Sequence, residues 1–189
     1  MKLKTPISGE FTLDNLEDAF AEALGAAPAG REPFLTRVLE DWRPGELAGV
    51  SPVDLGCVLA SFWRFAQERR EDAPTVRLIR ARGAGGRDLK FDLLEIVQPD
   101  APFLVDSVMG EVGEAGADVR AMFHPVTESA GARLSMIQVW LAPVGEERRA
   151  GLMERVLAAM ADVHAAVNDF RPMLELLAHT IDDLEKAAP

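Results

Sequence analysis

A chain of 189 residues with 48 % apolar side chains can build a packed core and is no disordered tail. Its length suits one medium domain, or one domain with a helical annex. A net charge of −11, spread along the chain, favours solubility and repels phosphate backbones, which excludes nucleic acid as the expected partner.

Three helices are predicted first. Residues 13–25 carry Leu13, Leu16, Phe20 and Leu24 at helical spacing, with Thr12 and Asn15 as capping chemistry and Gly25 and Pro28 as stops. Residues 31–42 repeat the pattern through Phe34, Leu35, Val38 and Trp42, up to the breakers Pro44 and Gly45. Ser51 and Pro52 then supply a cap and a first-turn proline for a helix to about Arg70, through Leu55, Val58, Leu59, Phe62 and Phe65. The charged run Arg69 to Asp72, ended by Pro74, marks a boundary.

Beyond it the apolar period shortens from 3.6 to 2. Val76–Arg80 reads as a strand, and 89–97 as another with Leu89, Phe91, Leu93 and Val97 on one face. The glycine cluster between them, Gly83 to Asp88, lacks the third glycine of a dinucleotide loop and has no helix behind it. A flexible hairpin turn is expected instead. A helix at about 102–115 follows, capped by Asp100 or Ala101, with Leu104, Val105, Val108, Met109 and Val112 as its stripe and Gly116 as its left-handed end. Strands are expected at 117–124, where Pro125 ends the ladder or sets an edge, and at 133–142, with the turn at Ser129-Ala130-Gly131 between. In the latter strand Ile137, Val139 and Leu141 share one face, Leu134, Met136 and Trp140 the other. A long helix from Glu146 to about Phe170 buries Leu152, Val156, Ala159, Met160, Val163 and Val167. Pro172 is expected to stop it, and a last helix runs from Met173 to about Lys186.

The order β-β-α-β-β-α from residue 75 predicts an α+β fold, a four-stranded antiparallel sheet with helices on one face. The other face needs a cover, from the N-terminal helices or another subunit. The expected division is 1–73 as an N-terminal helical segment, 74–170 as the α+β domain, and 171–189 as a C-terminal helix suited to docking.

Chemistry-bearing residues are sparse. Cys57 lies in the apolar helical run Val53 to Leu59, and reads as a small buried hydrophobe rather than a nucleophile. A lone cysteine cannot form an internal disulfide. No apolar run follows Lys2 and Lys4, and none approaches bilayer length, so no secretory leader, no membrane span and a cytoplasmic location are expected. No pair among His124, His164 and His179 has the i, i+4 spacing of a helical metal site. Asp106 and Ser107, as helix neighbours, point roughly 100° apart, which disfavours a triad with His124. No catalytic, cofactor-binding or metal-binding residue is assigned. The loop Gln98 to Pro102 leads into a helix N-terminus able to hold a carboxylate, unless Asp100 already caps it. Asp100, Phe103, Asp106, Ser107 and His124 are the candidate ligand or interface residues.

Asp100-Ala101-Pro102-Phe103-Leu104-Val105-Asp106-Ser107-Val108 and His124-Pro125-Val126 resemble the N-terminal region of the large NAD-specific glutamate dehydrogenases. Trp63-Arg64-Phe65-Ala66 and the stretches Val156 to Val163 and Val167 to Met173 are similar to the family's flanking helices. The resemblance covers roughly residues 51 to 177. It also includes the first strand–helix–strand of an ACT domain, a regulatory module that often binds amino acids. An ACT domain carries glycine where this chain has Phe103, which weighs against an amino-acid site there. It also ends in a strand after its second helix, a place in the sheet that the Val76 strand can take. Arginines that often follow the family's H-P-V segment are replaced by Thr127-Glu128-Ser129.

The resemblance implies a non-catalytic regulatory or assembly module at the N-terminus of a much larger oxidoreductase. It implies NAD in the parent enzyme and none on this chain, the parent's other domains as partners, and a homo-oligomer. The chain would then be a fragment or truncated relative. The alternative is a stand-alone ACT-like sensor of an amino-acid effector. A small enzyme using Asp100, Asp106 and His124 ranks last.

Overall fold

The computed structural model describes residues 12–42, 49–69, 73–129 and 132–187. Its elements are helices α1 (Leu13–Leu24), α2 (Arg31–Asp41) and α3 (Pro52–Gln67), strands β1 (Thr75–Arg82) and β2 (Asp88–Pro99), helix α4 (Leu104–Glu114), strands β3 (Val119–Phe123), β4 (Val126–Ser129) and β5 (Ala132–Leu141), and helix α5 (Glu146–Ala187). The residues Met1 to Pro6, the breakers Pro44 and Gly45, the run Arg70 to Asp72 and the turn residues Ala130 and Gly131 lie outside the described residues.

Local chemistry sets the first helices. Thr12 and Asn15 form a reciprocal capping box on α1, and Gly25 closes it at φ 72°. Ser51 and Asp54 do the same on α3, with Pro52 in its first turn. The α+β class and the antiparallel sheet are as the sequence predicts. The strand order is β1-β2-β5-β3, with β4 also paired to β5. So β1 does hold the edge place beside β2 that an ACT domain gives to its last strand.

Three elements depart from expectation. Among the described residues there are five strands rather than the expected four. The edge strand breaks at His124-Pro125, and its continuation β4 pairs Val126 with Ser135 and Thr127 with Leu134. Proline has no N–H for the ladder, but the Pro125 carbonyl still accepts from the Met136 amide at 3.0 Å, so the strand resumes on the same register line. Helix α4 starts at Leu104 rather than 102, because Asp100 is held at the end of the sheet. Its amide donates to the Arg133 carbonyl at 3.0 Å, and its carboxylate pairs with Arg133 at 3.1 Å. Finally, α5 runs through Pro172 instead of stopping. The ring deprives the Asn168 carbonyl of its helical donor, but Asn168 is exposed and water can take the vacant place.

The sheet is covered on both faces. Phe91, Leu93, Val97, Phe123, Leu134, Met136 and Trp140 pack with Leu16, Phe20, Phe34, Leu35, Leu59 and Phe62 of α1–α3. Leu94, Ile96, Ile137, Val139 and Leu141 pack with Leu104, Val108 and Val112 of α4 and Leu152, Val156 and Met160 of α5. The N-terminal helices are thus the cover of the second face. Beyond Val167 α5 leaves this core. Phe170, Met173, Leu174, Leu176, Leu177 and Ile181 are all exposed.

Two buried carboxylates tie the layers. Glu95 on β2 pairs with Arg77 and accepts from Gln138 at 2.7 Å, while Arg77 donates to the carbonyl and hydroxyl of Ser61 on α3. Burial pushes the Glu95 carboxyl up, against the charge and hydrogen bonds of Arg77 and the bond from Gln138. Asp92, pointing to the other face, accepts from the Val144 amide and from Arg149, each at 2.7 Å, and so fixes the start of α5.

Candidate functional site

The backbone amides of the glycine arm between β1 and β2 form no phosphate cradle, since those of Gly83, Ala84, Gly86 and Arg87 are already engaged. The Ala84 amide donates to Asp54 Oδ1 at 3.1 Å, and Arg87 pairs with the same carboxylate. Burial opposes the charge on Asp54. Hydrogen bonds from the Ser51 hydroxyl, the Ala84 and Ser51 amides and Arg87 nevertheless hold its carboxyl below the ordinary value. The arm therefore fastens α3 to the sheet.

The break in the edge strand builds something else. An open groove of about 750 Å³ lies between α2 and the sheet edge, lined by Glu32, Pro33, Thr36, Arg37 and Glu40 on one side and by Asp100, His124, Val126 and Arg133 on the other. The interruption at Pro125 frees the His124 amide from the ladder, and it donates to Asp41 Oδ2 at 2.9 Å. The imidazole Nε2 lies 2.7 Å from the Ser135 hydroxyl, which is fully buried. Burial pushes the His124 pKa below its ordinary value, against the pull of Asp100 and Asp41. Arg37 pairs with Glu40 at 3.3 Å and Asp41 at 3.5 Å. The groove thus presents two arginines and three carboxylates beside an imidazole that burial keeps neutral. Such a lining suits a small zwitterion by hydrogen bonding and charge, with no nucleophile in place.

Of the candidate residues, Asp100 and His124 share this groove. Asp106 and Ser107 lie in the first turns of α4, whose stripe packs on the opposite face of the sheet. Phe103 occupies the N-cap of α4 at φ 68° and is 69 % exposed, so its ring fills no pocket. Asp41, Arg37, Arg133 and Ser135 were not legible as site residues. The one sequence signal was Ser135 itself, a small polar residue set between the apolar Leu134 and Met136. Among the described residues no group of three or more His, Cys, Asp or Glu could hold a metal ion. No helix among them is long and apolar enough to cross a membrane.

The family described as "Glutamate dehydrogenase, ACT1 domain" matches residues 34–170, from α2 into α5. The chain belongs to that family. The ACT1 match takes in most of α2, α3, the whole sheet, α4 and α5 as far as Phe170, and it reaches upstream of residue 51, where the resemblance read from the sequence began. An NAD-specific glutamate dehydrogenase of Halomonas elongata is 28 % identical over 161 residues, covering 72 % of this chain and 10 % of that protein. The chain spans about a tenth of the length of this curated relative.

Proposed function

We propose that this ACT1 domain is a non-catalytic regulatory or assembly module of a large, cytoplasmic, homo-oligomeric NAD-dependent glutamate dehydrogenase. The observation that carries the reading is the family match over residues 34–170, on a chain with no dinucleotide fingerprint. NAD and glutamate chemistry belong to the rest of such an enzyme. The segment 171–189 serves as the docking element, since its apolar side chains from Met173 to Ile181 are exposed just beyond the end of the family match. The test is Leu177→Glu with Ile181→Glu in the full-length protein. Sedimentation and glutamate-dependent NAD reduction should both fall. The same substitutions should leave the melting temperature of residues 1–189 unchanged, because neither side chain packs on the core. Unchanged sedimentation and activity would overturn the docking role.

A second reading, an amino-acid sensor, is favoured by the zwitterionic lining of the groove. A thermal-shift screen with free amino acids tests it. One amino acid should stabilise the chain, and Asp100→Ala should remove that gain. No stabilisation by any of them removes the reading.

A further inference from the structure

At the other end of the same sheet lies a second, smaller cavity that the reading above does not use. It has a volume of about 140 Å³ and is lined by Val50, Arg87, Asp88, Phe91, Arg120 and Trp140, among others. Two irregularities of the backbone meet there, a bulge in β3 and a slip in β2 at Lys90. The β3–β5 register slips by one residue between Val119 and Ala121, so Arg120 is the extra residue of a β-bulge. The β1–β2 register slips between Arg80 and Arg82. Lys90, flanked by two lining residues, sits at φ 63°, a conformation that costs a non-glycine residue about 1 kcal/mol or more. Bulges re-aim side chains, and strain of this kind collects at binding sites.

The charge balance of the lining is uneven. Arg87 is matched by Asp54. Asp88, the acidic member, is matched by Lys90, whose amide donates to it at 2.9 Å and whose ammonium lies 3.3 Å away. Arg120 has no ion pair or hydrogen bond among the described residues. In a chain of net charge −11 an arginine has many carboxylates to choose from, yet this one is turned by a bulge into a cavity without a free acid. Phe91 and Trp140, stacked with ring centroids 4.4 Å apart, give the cavity a rigid aromatic wall. The volume is that of about five water molecules.

We propose that this cavity is a binding site for a small free anion, a carboxylate or phosphate, held by the guanidinium of Arg120 with Arg87 beside it. A planar fork of N–H donors matches either oxyanion in a bidentate way. The site needs no acidic residue to ionise and no metal.

The experiment uses the chain as it stands, with sodium phosphate and sodium succinate as probes and sodium chloride at matched ionic strength as the reference. At a concentration near ten times the dissociation constant, the bound anion should raise Tm by about 4 °C. The indole N–H resonance of Trp140 should shift and saturate with it. Arg120→Gln should abolish both effects while keeping its own Tm in chloride, since the residue is exposed. Response to phosphate alone supports a phosphate ligand, and response to succinate alone a carboxylate. No response beyond chloride, an unsaturating indole shift, or an equal response in Arg120→Gln overturns the proposal.

Discussion

Replacing Gly56 by alanine sets two opposite effects against each other, and the structure decides the sign. Gly56 lies inside α3, where alanine is intrinsically favoured over glycine by about 1 kcal/mol. A Cβ added at this position would lie 2.7 Å from the carbonyl carbon and the Cβ of Ala19, and 2.9 Å from the amide nitrogen of Phe20. These are largely backbone atoms of α1, so no rotamer change relieves the clash, and α1 must move as a whole. Phe20 would move with it, and its ring packs edge-on against Trp63 at 5.9 Å and tilted against Phe34 at 6.0 Å. Overpacking of this kind costs about 3 kcal/mol where the backbone cannot yield. The net loss is then about 2 kcal/mol, or a fall in Tm of about 4–8 °C for a chain of this size. Gly110 in α4 is the matched control, because a Cβ there meets nothing within 4 Å. Gly110→Ala should gain about 1 kcal/mol from propensity alone. Thermal and urea unfolding followed by circular dichroism measure both. A Gly56→Ala variant as stable as its parent, or more so, would refute the close approach of α1 and α3.

Phe103→Gly should leave stability equal or raise it by up to about 1 kcal/mol, since relief of the left-handed strain outweighs the little packing of an exposed ring. A loss greater than that in urea unfolding would mean that the ring is held in place. His124 gives a pH test. Burial lowers its pKa in the folded chain, so the unfolded chain takes up the proton first as pH falls below about 6.5. Its contribution to stability is therefore complete at pH 7 and above, and declines on acidification toward the folded value. The Tm gap between the parent and His124→Gln should narrow from pH 7 to pH 5. A gap that stays constant or widens contradicts a buried neutral imidazole.

What the sequence made legible depends on range. The strand faces were readable because alternation is local. Phe91, Leu93 and Val97 do face α1–α3, and Ile137, Val139 and Leu141 do face α4 and α5. The caps at Thr12 and Ser51 were readable for the same reason, as each is closed by a residue three positions on. The errors arose where a distant residue intervened. Asp100 looked like a helix cap until Arg133 claimed it. The glycine arm was expected to be flexible, whereas Asp54, thirty positions upstream of Ala84, fastens it. The groove joins Asp41, His124 and Ser135, from α2, the edge-strand break and β5, which no spacing rule connects. Strand β4 was too short and too polar to stand out after Pro125.

The placing of β5 between β2 and β3 has a consequence for synthesis. Phe20 and Phe34 share their core with Met136 and Trp140 as well as with Phe91 and Leu93, so helices α1–α3, made before the sheet, complete their sheet face only after β5 is made. Until then the apolar faces of α1–α3 are covered only in part, and the β1–β2 hairpin lacks its central neighbour. Contacts of such wide sequence separation slow folding and prolong exposure to aggregation. A nascent chain stopped short of residue 132 would be a substrate for chaperones, and the arrival of one strand would release it.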